Sequence, residues 1–139
     1  CLRPGVQGMS ENIRVISVIG RFLEHSRIFH FANGQEDPVD GEWFIGSADW
    51  MYRNLNARVE AITPVIDPTL RRRLKSIVDT SFADHRNAWD MNADGTYTQR
   101  MPPEDADPES PAMLGTFASL MRDTMASVAA GATAPKSFT

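Results

Sequence analysis

Hydrophobic positions recur along this chain at two spacings, and the switch between them marks its elements. Residues 13–19 hold five β-branched side chains in seven, which predicts a strand, although the spacing 13, 16, 19, 23 also fits a helix face. Residues 28–32 and 42–45 read as two more strands. They are joined through Asn33-Gly34 and an acidic, polar run to Gly41, a hairpin-like connection with an exposed loop. Residues 58–64 read as another strand, and residues 88–100 as a hairpin turning at Asn92-Ala93-Asp94-Gly95. The period then changes. Leu70, Leu74, Ile77, Val78 and Phe82 mark an amphipathic helix over 68–84, with Asp67 as N-cap and Pro68 in the first turn. Met113, Leu114, Phe117, Leu120, Met121 and Met125 mark a second helix over 112–125. Residues 50–56 suit a short helix or an ordered loop. Pro and two Gly make residues 3–8 a loop, and four Pro with four acids make 102–111 a loop or linker. The last dozen residues, rich in Ala, Thr, Gly and Ser, are expected to fray.

Composition bounds the picture without deciding it. A chain of 139 residues makes one domain with a real core, and 42% hydrophobic residues suit a globular protein. No run of 18 apolar residues suggests a membrane span, and the N-terminus lacks the basic and apolar regions of a secretory leader. The single cysteine, Cys1, excludes an internal disulfide and is compatible with the cytoplasm. The net charge of −4 argues against a polyanion partner until its distribution is considered. Residues 1–75 carry ten Lys/Arg against nine Asp/Glu, and residues 76–139 carry four against nine. A local cationic site is therefore open to the first part, whereas a broad basic surface for nucleic acid is not indicated.

Chemistry concentrates in His25-Ser26-Arg27 and Gly46-Ser47-Ala48-Asp49. A histidine two residues before a cation, in a β-branched and aromatic run, points with it to one face of a predicted strand. An imidazole and a fixed cation beside a tight Gly-Ser turn suit handling of a phosphoryl group. The ring carries a proton or acts as nucleophile, while the cation and turn N–H groups hold oxygens.

That arrangement resembles the second half-motif of the phospholipase D superfamily, His-x-Lys followed by Gly-Ser-x-Asn. More specific words surround it: Cys1-Leu2-Arg3-Pro4-Gly5, Ser10-Glu11-Asn12-Ile13-Arg14-Val15, Gly20-Arg21-Phe22-Leu23-Glu24-His25-Ser26-Arg27, and Gly46-Ser47-Ala48-Asp49-Trp50-Met51 with Arg53-Asn54-Leu55. They resemble bacterial polyphosphate kinase of the long, ATP-using type, over about residues 1–80, and the likeness fades beyond about 100. Arg27 stands for the superfamily Lys, Asp49 for its Asn, and Ala32 where its Asp would fall. All three match the polyphosphate kinase version and argue against a lipase or nuclease.

The resemblance implies an α/β fold, a phospholipase D-like half-unit with a mixed sheet flanked by helices. It implies a C-terminal catalytic domain over 1–100, truncated at its N-terminal edge, a linker over 101–111, a helix of the same domain over 112–126 and a disordered tail over 127–139. Members of that family are several times longer, with two such domains facing each other. The phosphorylated histidine, the metal-linked arginines and an ATP-contacting arginine are therefore expected outside this chain. The implied activity is reversible transfer of the terminal phosphate of ATP to inorganic polyphosphate, the fragment alone being inactive. The implied partners are ATP or ADP, polyphosphate, the missing N-terminal domains and further copies of the chain. Magnesium would accompany the nucleotide, with ligands outside this fragment. The implied location is the cytoplasm, with association at a membrane surface left open.

Residue by residue, each functional reading competes with a plainer one. A lone histidine is more often without a role, but the words around His25 favour a catalytic part, as general acid or base or as a holder of the phosphoryl group. Arg27 offers a bidentate phosphate grip or a salt bridge to Glu24 or Glu60. Ser47 presents a hydroxyl to an oxyanion or simply ends a strand. Asn54 donates its amide to a phosphate oxygen or caps a turn. Arg53, favoured over Arg58, and Arg3 are further phosphate candidates. Asp49 and Glu60 are expected behind the contacting groups, Asp49 either accepting a His25 ring N–H or pairing with Arg53. The run Arg71-Arg72-Arg73 with Lys75 reads as a solvated helix face. His30 and His85 carry no motif, and Trp43, Trp50 and Trp89 read as core or interface aromatics. No Walker loop and no Cys/His cluster is present.

Two other classes remain. A homodimeric phospholipase D-like phosphodiesterase would pair His25 from two chains and hydrolyse a model phosphodiester. A non-catalytic assembly domain would associate through its C-terminal helices and survive His25→Ala.

Overall fold

The computed structural model describes residues 2–131, so Cys1 and the end of the predicted frayed tail, 132–139, lie outside the described residues. The chain divides into two units. One runs Phe22–Asp79, and the other joins the residues up to Arg21 with those from Thr80 onward.

The 22–79 unit carries the motif-bearing turns. Strands β2 (Ile28–Phe31), β3 (Glu42–Gly46) and β4 (Ile62–Pro64) form a meander in the order β2-β3-β4, antiparallel throughout. Asn33 and Gly34 both take left-handed backbone angles (φ 49° and 76°), and Gln35 N–H closes the turn on Ala32 O at 2.9 Å, the chemistry that Asn-Gly suits. The connection then makes a 3-10 turn, Pro38–Asp40, capped by Asp37. His30 Nε2 and Trp43 Nε1 both lie at hydrogen-bond distance from Pro38 O (2.9 and 2.8 Å), and the two rings lie 4.2 Å apart. His30 is thus a core fastener. Trp43, only 2% exposed, centres a small core with Val39, Ala48 and Val65. Helix α1 (Tyr52–Ala57) follows the Gly-Ser turn, and helix α2 (Pro68–Phe82) starts where Asp67 Oδ1 accepts from Thr69 and Leu70 N–H. Arg71 donates to the carbonyls of Val65 and Val39, so this member of the arginine run braces the core, while Arg72 and Arg73 are exposed.

In the other unit, β1 (Ile16–Val18), β5 (Ala88–Met91) and β6 (Tyr97–Gln99) form an antiparallel sheet in the order β1-β5-β6. The hairpin turns at the Asn-Ala-Asp-Gly run as the sequence predicts, with Thr96 donating to Asp94. Arg100 grips both Asp90 oxygens (2.7 and 2.8 Å) and caps Phe82 O.

The α/β class matches expectation, but the single mixed sheet is replaced by two three-stranded sheets in which every pairing is antiparallel. The helix predicted over 112–125 is two: α3 (Pro111–Leu114) and α4 (Thr116–Ala129). Between them Gly115 takes φ 81°, ψ 164°, a conformation nearly reserved for glycine. The break is held by buried Asp84, whose Oδ2 accepts from the N–H and hydroxyl of Thr116.

Candidate functional site

The site is built on the edge of the β2-β3-β4 sheet. His25 and Arg27 do not belong to a strand; they lie in the extended segment entering β2, although Gly46 N–H still donates to Arg27 O at 3.0 Å. Their closeness comes from a hydrogen bond instead of a shared strand face. Arg27 Nη1 lies 3.2 Å from His25 Nδ1 and 2.6 Å from His25 O. On the other edge of the guanidinium, Asp49 Oδ1 accepts from Nε (2.9 Å) and forms an ion pair with Nη2 (2.7 Å). Asp49 therefore meets Arg27, and neither the His25 ring nor Arg53.

Glu24 fixes the backbone just before. Its Oε1 accepts from His25 N–H (2.9 Å), Ser26 N–H (2.8 Å) and the Ser26 hydroxyl (2.7 Å). The Ser26 hydroxyl first, then the two backbone N–H groups, hold its carboxyl below the usual range. Sequence reasoning had placed Glu24 only as an ion partner for Arg27. A serine two residues after an acid is the local signal that could have pointed to this turn.

The Gly-Ser turn is tied to the strand that follows. Ser47 N–H donates to Ala61 O (3.0 Å), Ala61 N–H returns a bond to Ser47 Oγ (3.1 Å), and that hydroxyl donates to Glu60 Oε2. Asn54, 2% exposed on α1, donates its amide to Glu60 Oε1 at 2.9 Å. Its Oδ1 is buried without a hydrogen-bond partner. The Ser47 hydroxyl, then the Asn54 amide, hold the Glu60 carboxyl below its usual range, with Arg58 and Arg27 adding smaller pulls. Space at position 46 is tight: a Cβ there would stand 3.2 Å from the Phe29 ring and 3.3 Å from Ala61 O.

Two groups nominated as phosphate contacts, Ser47 and Asn54, thus spend their donors on Glu60, and Arg27 spends most of its own on Asp49 and His25. His25 and Arg53 are exposed, and Arg53 makes no hydrogen bond or ion pair among the described residues. Arg3 belongs to the other unit, exposed, with Ser10 donating to its carbonyl. Asp49 is charge-paired with Arg27, whereas Glu24 and Glu60 stay ionised, their oxygens held by neutral internal donors. The same engagement makes them poor metal ligands. Among the described residues no group of three or more His, Cys, Asp or Glu comes together.

The sequence profile of the polyphosphate kinase C-terminal domain 2 family matches residues 1–110. The chain belongs to that family. It is 61% identical over 102 residues to a polyphosphate kinase of Synechocystis, covering 73% of this chain and 14% of that protein. It is 53% identical over 129 residues to one of Thermosynechococcus vestitus, covering 92% and 16%. The crystal structure of polyphosphate kinase from Porphyromonas gingivalis superposes with a TM-score of 0.67 at 36% identity, over 84% of this chain and 17% of that one. The chain thus spans about one-sixth of the length of these relatives. No helix among the described residues is long and apolar enough to cross a membrane.

Proposed function

We propose that this domain supplies half of the phosphoryl-transfer centre of a polyphosphate kinase. The reaction is the reversible passage of the terminal phosphate of ATP to polyphosphate, and the histidine that carries the phosphoryl group lies outside these 139 residues. His25 acts as general acid or base on an oxygen of the phosphate in transit, and Arg53 offers an unspent guanidinium to a neighbouring phosphate. The carrying observation is the exposed His25 ring, backed on one edge by Arg27 and standing on a backbone that Glu24 fixes. Magnesium would arrive with the nucleotide and find its ligands elsewhere in the enzyme. Trp50, Tyr52, Val59 and Ile66 are each more than three-quarters exposed, which supports a surface completed by the remaining domains or by further copies.

The test is His25→Ala in the full-length enzyme. Polyphosphate synthesis falls by about 10²-fold or more, in the range general acid–base catalysis supplies, while labelling of the enzyme by ATP persists. The 139-residue chain alone makes no polyphosphate. Synthesis by that chain that depends on His25, or a full-length His25→Ala enzyme with normal turnover, would overturn the reading.

A further inference from the structure

Arg27 has two chemistries open to it: to grip substrate phosphate, or to act on its neighbours. Its donors decide. A guanidinium carries five N–H groups and no acceptor. Nε donates to Asp49 Oδ1 at 2.9 Å, and Nη2 stands in an ion pair 2.7 Å from the same oxygen. Nη1 meets His25 O at 2.6 Å and His25 Nδ1 at 3.2 Å. Only Nη2 is left, itself pressed against the Asp49 carboxylate, and one nitrogen is too little for the paired grip that makes arginine a phosphate clamp.

Because arginine only donates, Nδ1 of His25 must accept, and in the neutral ring the proton then sits on Nε2. We propose that Arg27, itself oriented by Asp49, is a positioning residue that holds His25 as an Nε2–H donor facing outward. This rests on the reading of His25 as the proton carrier. It adds which nitrogen does the work and why an arginine, with a planar fork able to bridge a carboxylate and a ring, stands at 27. A lysine ammonium is a point charge and cannot span both partners in that fixed plane. Asp49 acts through Arg27: with its side chain 34% exposed and that of Arg27 only 18%, the pair forms the inner wall behind an exposed imidazole.

The inference is tested first on the chain itself, by ring ¹⁵N chemical shifts in alkaline buffer, with His25→Asn identifying the His25 signals. Nδ1 is expected as a bare accepting nitrogen and Nε2 as fully protonated. In Arg27→Gln the two shifts move toward each other as the Nδ1–H form appears, and Asp49→Asn does the same to a smaller extent. The His30 signals, anchored at Pro38 O, stay in place and report an intact fold. In the full-length enzyme Arg27→Gln lowers kcat by about 10- to 100-fold, part of what a general acid contributes, with KM for polyphosphate changed less than about twofold. Arg27→Lys behaves like Arg27→Gln. A proton on Nδ1 in the unaltered chain, or tautomer shifts identical before and after Arg27→Gln, overturns the inference. So does a raised KM with kcat intact, which would make Arg27 a phosphate contact. The ring shifts do not depend on turnover, so an idle His25 would sink the functional reading and leave the tautomer result standing.

Discussion

Asp84→Ala removes a carboxylate that has no exposed surface and four donors around it. Oδ1 accepts from the N–H groups of Arg86 (2.9 Å) and Asn87 (2.7 Å), and Oδ2 from the N–H (2.7 Å) and hydroxyl (2.9 Å) of Thr116. Each stranded buried donor costs about 1–3 kcal/mol. Four at full value would rival the whole stability of a small domain, about 5–15 kcal/mol, so water entering the vacated space must satisfy some of them. With roughly two of the four donors left unsatisfied, the expected loss is about 3–5 kcal/mol. With a urea slope of about 2 kcal/mol per molar, the unfolding midpoint drops by about 2 M. The assay is urea unfolding followed through the amide signals of β5 and α4. Asp84→Asn should fall between, since the rotated amide still accepts on one side, and Thr116→Val should lose about 1 kcal/mol for its hydroxyl alone. An Asp84→Ala chain within about 1 kcal/mol of the parent would refute the reasoning, because the carboxylate would then hold nothing that water cannot replace.

Gly115→Ala combines a forbidden backbone conformation with a Cβ 2.3 Å from Asn87 Nδ2, and should cost at least about 1–3 kcal/mol; an unchanged urea midpoint would contradict it. Glu24 and Glu60 both have folded-state carboxyls below their ordinary value near 4.5. Their stabilisation is complete above that value and is lost as pH falls through the lowered ones. Acid titration should therefore release the Ser47 and Asn54 signals together below about pH 4.5, and tighter ties on acidification would reverse the sign of the argument. Glu60→Gln leaves a single acceptor for two donors; it should shift the Asn54 amide resonances and lower turnover of the full-length enzyme several-fold, and unchanged resonances would show that Glu60 ties nothing.

Where a local group decides a structure, the sequence showed it. Asp67 before Pro68 starts α2, Asn33-Gly34 makes its turn, and the Asn92–Gly95 run turns the second hairpin. Where a distant partner decides, it did not. The stop between α3 and α4 depends on Asp84, thirty-two positions away, and no 3.6-residue period reveals it. His25, Arg27, Ser47, Asp49 and Asn54 could be nominated together because they lie in neighbouring sequence words, and Glu60 only as a partner for Arg27. Which donor each would spend on which acceptor was not legible, since Arg27 and Asp49 are 22 positions apart and Ser47 and Glu60 are 13 apart. The result redistributes roles: groups with phosphate-binding chemistry are turned inward, and the exposed imidazole stands in front of them.

The bond from Asp84 to Thr116 closes the chain on itself, and residues 102–110 lie inside the ring it makes. The family profile ends at 110, within that ring. Lengthening a closed flexible loop is cheap, about 0.6 kcal/mol for each doubling. The proline- and acid-rich stretch can therefore lengthen or shorten at little cost while the Asp84–Thr116 bond keeps α4 in its seat.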